Sequence, residues 1–240
     1  MKYFFVGVHN LQHLDILPQC CISFLRLRQR RKELKLNDWI MDNGAFSQIS
    51  SDGDYSVSIS EYASKIKRWS SCGNLLAAVS QDFMCEPEIL TKCRATVREQ
   101  QFKTCDRYHK LLNQLENVVY LLPVLQGWHP EDYLSHLAMY DFAPNSWVGV
   151  GSVCRRQRSA AIEQIVGAIK NMRPDLRLHL FGVKTSALSF PLLHHWIYSA
   201  DSAAWSYAAR REGRDRNSIQ EALAFWTKIK GFDDGLFAML

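Results

Sequence analysis

Short polar motifs follow apolar runs at six places in the chain, and helical stretches separate them. The motifs are Met41-Asp42-Asn43-Gly44-Ala45-Phe46, Gln81-Asp82-Phe83-Met84-Cys85-Glu86-Pro87, Pro123-Val124-Leu125-Gln126-Gly127, Gly149-Val150-Gly151-Ser152, Phe181-Gly182-Val183-Lys184 and Ser199-Ala200-Asp201-Ser202. A strand that ends in polar residues and leads into a helix, repeated along a chain, is typical of a β/α barrel. The sequence therefore predicts an α/β fold, a (β/α)8 TIM-like barrel that is compact and has one irregular or missing unit.

Hydrophobic periodicity assigns the elements between these motifs. Continuous apolar runs predict strands at 2–8, 39–42, 75–79, 118–125, 147–150, 176–183 and 196–200. Helical spacing predicts helices at 22–36, 58–70, 87–115, 160–172 and 218–229, and Pro130 opens another. About seven strand–helix units result, and their alternation favours a parallel sheet that is covered on both faces. No linker or low-complexity tract divides the chain, so we expect residues 1–240 to form one domain.

Composition restricts the class of protein. Hydrophobic residues make up 47% and charged residues 22% of the chain, which is typical of a globular protein with a sizeable core. The seven cysteines include no C-x-x-C pair and predict a reducing compartment rather than a disulfide framework. No run approaches the roughly 18 apolar residues of a membrane span, and the first apolar run is too short for a signal peptide. We therefore expect a cytoplasmic protein without a membrane partner.

Positive charge is concentrated in three clusters, although the formal net charge is only +5. One lies at 26–35, and the others contain Arg155, Arg156 and Arg158, and Arg210 and Arg211. A basic run is commonly a solvated helix face, but clusters that flank strand ends favour a polyanionic partner. The arginines of the second and third clusters are the candidate phosphate contacts. The stretch at 26–35 would bind either nucleic acid or a helper protein.

With these motifs in this order, the chain resembles the tRNA-guanine transglycosylase superfamily. Within it, the chain is most similar to the DpdA family of DNA deazaguanine transglycosylases, which includes small phage-encoded members. The resemblance runs from about Met41 to Arg210 and depends on the order and strand-end position of the motifs, since each motif is short. It implies an enzyme that exchanges guanine in nucleic acid for a 7-deazaguanine base through a covalent aspartate–sugar intermediate. For a phage-encoded member, the compartment would be the host cytoplasm.

The resemblance also implies roles for strand-end residues. Asp201 is similar to the family's nucleophile, and Asp42 is similar to its general acid/base. Phe46 would lie against the bound base. The residues that resemble the remainder of the base-binding site are Asp82, Gln126, Gly127, Gly149, Gly151 and Gly182. The N–H groups of the Gly149–Gly151 segment would point at the O6 atom of the base.

The chemistry of the residues agrees with these roles and leaves simpler alternatives open. A carboxylate accepts hydrogen bonds from the donor-rich N1–H and 2-amino edge of guanine, which suits Asp82. A carboxylate at C1′ stabilises the positive charge that develops on the sugar, which suits Asp201. Alternatively, Asp42, Asp82 and Asp201 would cap the turns or helices that follow them. Gly149 and Gly151 would then serve close strand–helix packing.

Cofactors and partners follow from a departure from the family pattern. The tRNA enzymes carry a structural zinc on a late C-x-C-x-x-C plus His motif, whereas no cysteine follows Cys154 here. We therefore expect no zinc and no other cofactor. The zinc-less DNA branch implies DNA and a free 7-cyano, 7-aminomethyl or 7-formamidino 7-deazaguanine as partners. Exchange on tRNA, hydrolytic base removal, and a non-catalytic barrel that binds nucleic acid beside a partner subunit are the open alternatives.

Overall fold

The computed structural model of the chain describes residues 1–154, 156 and 159–237. Within them, nine strands form one sheet: Tyr3–Val8 (β1), Gln19–Ser23 (β2), Asp38–Asp42 (β3), Asn74–Val79 (β4), Leu121–Leu122 (β5), Val124–Leu125 (β6), Trp147–Val150 (β7), Arg177–Leu180 (β8) and Ile197–Ser202 (β9). The helices are Phe24–Leu27 (α1), Ala45–Asp52 (α2), Ile59–Trp69 (α3), Pro87–Cys93 (α4), Val97–Leu115 (α5), Pro130–Leu137 (α6), Ser159–Met172 (α7), Thr185–Leu188 (α8), Pro191–Trp196 (α9), Ala204–Arg211 (α10) and Ile219–Phe237 (α11). All paired strands are parallel. The predicted TIM-like barrel is confirmed.

The sheet closes through a single extended segment that contains both β5 and β6. β5 pairs with β4, and β6 pairs with β7. Pro123 separates the two short strands, and its carbonyl oxygen accepts the Gly149 N–H at 2.8 Å. Since proline has no N–H to donate, it interrupts the ladder where the segment changes partners. The nine strands therefore occupy eight barrel positions, and the irregular unit expected from the sequence lies here.

One predicted helix was wrong, and this error accounts for the low count of about seven units. Residues 22–36 are not a continuous helix, since Gln19–Ser23 forms β2 and α1 covers only Phe24–Leu27. β2 pairs with β1 on one side and with β3 on the other. Its cysteines, Cys20 and Cys21, are buried on the two faces of the sheet. Such a short run is selected as a strand by its two neighbours rather than by its own pattern.

The predicted helix at 87–115 is divided into α4 and α5. Arg94 adopts a left-handed conformation with φ 48° and ends α4. Thr96 then begins α5, because its hydroxyl accepts the Glu99 N–H at 3.2 Å while the Glu99 carboxylate accepts the Thr96 N–H at 2.7 Å. This reciprocal capping box starts a new helix. α5 then contacts the segment that follows Asp82, because the Thr104 hydroxyl accepts the Phe83 N–H at 2.9 Å.

Side chains fill the interior of the barrel. The buried residues that form this inner core are Phe5, Cys21, Ile40, Ala77, Val79, Leu122 and Val124. A larger core lies between the strands and the surrounding helices. Trp147 stacks on Tyr3 at 6.3 Å and on Tyr120 at 6.0 Å near the amino ends of the strands. The filled interior excludes a substrate from the centre of the barrel, and active sites of packed barrels lie at the carboxyl ends of the strands.

Among the helices that the structure describes, none combines the length and the apolar character needed for a membrane crossing.

Candidate active site

A pocket opens at the carboxyl ends of the strands. Its lining residues follow or end several strands and are Asp42, Asn43, Ala45, Phe46, Val79, Asp82, Met84, Glu86, Gln126, Gly151, Ser152, Cys154 and Phe181. Five predicted site residues, Asp42, Phe46, Asp82, Gln126 and Gly151, are therefore together in one cavity. Phe46 is 39% exposed and offers a ring at the mouth of the pocket.

Asp42 is the last residue of β3 and faces Ser23 in the register of β2. Its Oδ2 atom accepts the Gly44 N–H at 2.9 Å. Gly44 is left-handed with φ 72°, a conformation that favours glycine, and it forms the turn into α2. Burial and the negative charge of Asp201 raise the pKa of Asp42 to about 7. The carboxyl group therefore exchanges protons near neutral pH, as a general acid/base must.

Asp82 is buried within a network of amide donors. Its Oδ1 atom accepts a hydrogen bond from Asn43 Nδ2 at 2.5 Å, and its Oδ2 atom accepts one from Gln126 Nε2. The Tyr55 hydroxyl donates to the Asp82 carbonyl at 2.8 Å and fixes the backbone. Burial raises the pKa of Asp82 to about 6, although the two amide hydrogen bonds act in the opposite direction. The side chain is thus a fixed acceptor at the wall of the pocket.

Gln126 joins Asp82 to a second polar group. Its Oε1 atom accepts a hydrogen bond from the Ser152 hydroxyl at 2.7 Å, and that hydroxyl also lies 2.8 Å from Glu86 Oε2. A Cβ atom at Gly151 would lie 2.1 Å from Gln126 Nε2, so only glycine leaves room for this amide. The orientation of Gln126, and with it that of Asp82, therefore depends on the absence of a side chain at Gly151.

Asp201 lies in β9, and a chain of hydrogen bonds from neighbouring residues holds its side chain. Its Oδ1 atom accepts the Gly182 N–H at 3.1 Å and lies 3.3 Å from His179 Nε2. His179 Nδ1 is 2.9 Å from the Ser199 hydroxyl, which accepts Trp147 Nε1–H at 2.7 Å. Because a carboxylate oxygen can only accept, the contact with Asp201 favours the imidazole tautomer with its proton on Nε2, and the Ser199 hydroxyl can then donate to Nδ1 while it accepts from Trp147.

This arrangement leaves Asp201 accessible but fixed. His179 is fully buried, and the Asp201 side chain is 14% exposed. Asp201 is outside the set of residues that line the pocket described above, yet its charge contributes to the raised pKa of Asp42. The two carboxyl groups therefore interact electrostatically at one end of the barrel.

The predicted glycines contribute differently from one another. The N–H groups of Gly149 and Gly151 donate to strand carbonyls at 2.8 and 2.9 Å, so they are engaged in the barrel rather than directed at a ligand. A Cβ atom at Gly149 would meet the Phe181 ring at 2.5 Å, and one at Gly127 would meet Asp132 at 2.6 Å. These two positions accommodate neighbouring side chains. Gly182 donates its N–H to Asp201 and so supports the proposed nucleophile directly.

The predicted phosphate-binding arginines are only partly described. Arg155 and Arg158 lie outside the described residues. The Arg156 guanidinium lies 4.2 Å from the centre of the Trp128 ring and donates to the carbonyl oxygens of Ser152 and Trp128. Arg210 and Arg211 are exposed in the last turn of α10. Arg156 therefore braces the loop after β7, whereas the α10 pair faces solvent.

Sequence reasoning missed several polar residues of the site. They are Asn43, Glu86, Ser152, His179 and Ser199. Asn43 and Ser152 follow the strand-end aspartate and glycine within the recognised motifs, which was a usable signal. His179 and Ser199 are buried polar residues within strands. A single polar residue in a strand is a weak signal of a site as long as the side chain that it contacts is unknown. Among the described residues, no group of three or more His, Cys, Asp or Glu side chains is placed to share a metal ion.

The fold and the site define the class of protein. It is a parallel β/α barrel in which the carboxyl groups of Asp42, Asp82 and Glu86 line a pocket at the carboxyl ends of the strands, which is where barrel enzymes have their active sites. The chain belongs to the DpdA family, because the family model described as DeoxyPurine in DNA protein A matches residues 1–226. The resemblance stated from the motifs is thereby confirmed. No curated protein sequence shows significant similarity to the chain. Family membership supports a DNA-modification role of the transglycosylase type, with DNA as a partner.

Proposed function

We propose that the protein exchanges guanine in DNA for a free 7-deazaguanine base, with Asp201 as the nucleophile and Asp42 as the general acid/base. The observation that carries this proposal is the electrostatic interaction between two carboxyl groups at the mouth of the barrel, in which the negative charge of Asp201 raises the pKa of Asp42. One of them, Asp42, has a pKa of about 7, and the other, Asp201, is held by donors. One group can then carry a proton while the other remains an anion.

The first half of the reaction removes guanine. The Asp201 carboxylate attacks C1′ of the deoxyribose, and the bond between C1′ and N9 breaks as positive charge develops on the sugar. The electron pair of that bond leaves with guanine, and protonated Asp42 donates its proton to the departing base. The sugar is then joined to Asp201 as an ester, and Asp42 is an anion.

The second half is the reverse with a different base. Guanine leaves the pocket and a 7-deazaguanine enters. Asp42 removes the N9 proton of this base, N9 attacks C1′, and the ester bond to Asp201 breaks. Both carboxyl groups return to their starting states, so the exchange consumes no further reactant. A pKa near 7 allows Asp42 to donate in one half and accept in the other.

Base recognition belongs to the network around Asp82. Its carboxylate would accept hydrogen bonds from the N1–H and 2-amino groups, which guanine and 7-deazaguanines share. Asn43 and Gln126 hold the two oxygens in position, and the Phe46 ring at the mouth would contact the face of the base. The pocket lies at a barrel mouth, so a nucleotide would have to leave the duplex stack or come from a single strand.

The proposal is tested by label transfer. Guanine-containing DNA and, in parallel, tRNA are incubated with the protein and each of the labelled 7-cyano, 7-aminomethyl and 7-formamidino bases. Label retained in each polymer is measured. Asp201→Asn keeps the size of the side chain and removes the nucleophile. The matched control is Asp15→Asn, an exposed residue of the short 3-10 turn before β2, at the opposite end of the barrel.

The outcomes separate the competing activities. Label in DNA that is lost in Asp201→Asn and retained in Asp15→Asn supports the proposal and identifies the incoming base. Label in tRNA alone assigns the exchange to the other substrate. Release of guanine without incorporation of label indicates hydrolysis. DNA binding without either product overturns the catalytic proposal and favours a binding role beside a partner subunit.

A further inference from the structure

A second cavity lies at the same end of the barrel as the proposed catalytic carboxylates. Its lining residues are His9, Asn10, Arg26, Arg216 and Asn217, and its volume is about 360 Å³. His9 and Asn10 directly follow β1, Arg26 is in α1 after β2, and the last two residues are in the loop between α10 and α11. β1 and β2 separate β9, which carries Asp201, from β3, which carries Asp42. The cavity is therefore at the catalytic end of the barrel, on the arc between these two residues.

The two arginines of this cavity differ from their neighbours in the chain. Arg28 pairs with Glu61 at 2.8 Å, and Arg214 pairs with Glu212 at 2.7 Å. Within the part of the chain that the structure describes, neither the Arg26 nor the Arg216 guanidinium has a carboxylate at ion-pair distance. Two exposed, uncompensated cations from distant parts of the sequence are thus brought to one cavity.

The positive charges of Arg26 and Arg216 both act on the His9 side chain. Burial and the positive charges of Arg26 and Arg216 lower the pKa of His9, which lies in the cavity with them. The Oδ1 atom of Asn10 accepts the Gln12 N–H at 3.1 Å, which leaves its NH2 group as a donor. Arginine forks and amide donors without a carboxylate are the groups that bind a phosphate oxyanion.

We propose that this cavity binds a backbone phosphodiester of DNA next to the nucleotide that undergoes exchange. The proposal rests on the proposed function for its choice of ligand. A phosphate held on the arc between Asp201 and Asp42 would position the attached sugar over the two carboxyl groups. It would also offset the repulsion between the DNA backbone and an acidic site, which is a sequence-independent contribution to binding.

The test compares Arg26→Gln, Arg216→Gln and the double variant with Arg177→Gln. Arg177 is the exposed first residue of β8, so it lies at the amino ends of the strands, at the opposite end of the barrel from the cavity. Each single substitution removes one positive charge. A short single-stranded oligodeoxynucleotide and inorganic phosphate are the probes, and binding is measured over a range of salt concentrations. Unfolding curves establish that each variant is folded.

We expect each cavity variant to bind the oligonucleotide about tenfold more weakly, the usual scale for one charged hydrogen-bonding group. The slope of log K against log salt should fall by about 0.7 for the loss of one phosphate contact. Arg177→Gln should keep the wild-type affinity and slope. Inorganic phosphate should compete with the oligonucleotide on the wild-type protein and not on the double variant.

Equal affinity and slope for the double variant and Arg177→Gln would overturn the inference. Because the readout is binding, it is independent of base exchange. If label transfer fails while the cavity variants still lose DNA affinity, the proposed reaction is wrong and the phosphate site stands. If label transfer succeeds and the variants bind normally, the reaction stands and the phosphate site is wrong.

Discussion

Replacing Asp42 with asparagine should stabilise the folded protein at pH 8 while it removes base exchange. The reason is that the pKa of Asp42 is about 7 in the folded protein, against an ordinary value of 3.8. The folded state then holds the proton more tightly than the unfolded state. The associated stability is fully present below about pH 4 and is lost as the pH rises through 7. Asparagine keeps an acceptor for the Gly44 N–H and carries no charge.

The size of the effect follows from the pKa. One pKa unit corresponds to about 1.4 kcal/mol. About two pH units separate pH 5 from the folded-state pKa of Asp42. The wild-type protein should therefore lose about 2–3 kcal/mol more free energy of unfolding than Asp42→Asn between pH 5 and pH 8. The raised pKa that suits Asp42 to proton transfer is thus a cost to stability.

Urea unfolding at pH 5 and pH 8 measures this difference, and the label-transfer assay measures activity on the same samples. Asp15→Asn is the control, because its side chain is exposed at the other end of the barrel. It should follow the wild-type protein at both pH values. If Asp42→Asn shows the same change in unfolding free energy between pH 5 and pH 8 as the wild-type protein, the assigned environment of Asp42 is wrong.

Substitutions at three further positions test the network around the site. Gly151→Ala would displace Gln126, so we expect a loss of about 1–3 kcal/mol in urea unfolding and a weaker affinity for the free base; unchanged base affinity would contradict this. His179→Leu removes a donor to Asp201, so kcat should fall about 10- to 100-fold with KM for DNA little changed, and His179→Gln, which keeps a donor, should retain more activity. A change in KM alone would exclude a positioning role for His179. Asp82→Asn replaces an acceptor with a mixed amide, so KM for the free base should rise at least about tenfold while oligonucleotide affinity is kept, and loss of both would indicate a structural defect.

Much of the architecture was readable from local pattern. Apolar runs ending in polar motifs identified most strands within a few residues, and the run at 147–150 matched β7 in both bounds. β2 was missed because five residues that include one glutamine and two cysteines carry no clear period. Its strand conformation is decided by hydrogen bonds to β1 and β3. The division of the segment at Pro123 was visible, but its change of partners was not.

The same distinction holds for the site. The motifs alone place Asp42, Asp82 and Gln126 at strand ends, and parallel strands bring such ends to one side of a barrel. The contacts of those side chains could not be predicted in this way, because they depend on the folded chain. Gln126 reaches Asp82 across 44 positions of sequence, and His179 reaches Asp201 across 22. The pKa, orientation and accessibility of each site carboxyl group are set by such distant neighbours and by burial away from water. The local pattern of a strand encodes neither the neighbours nor the burial.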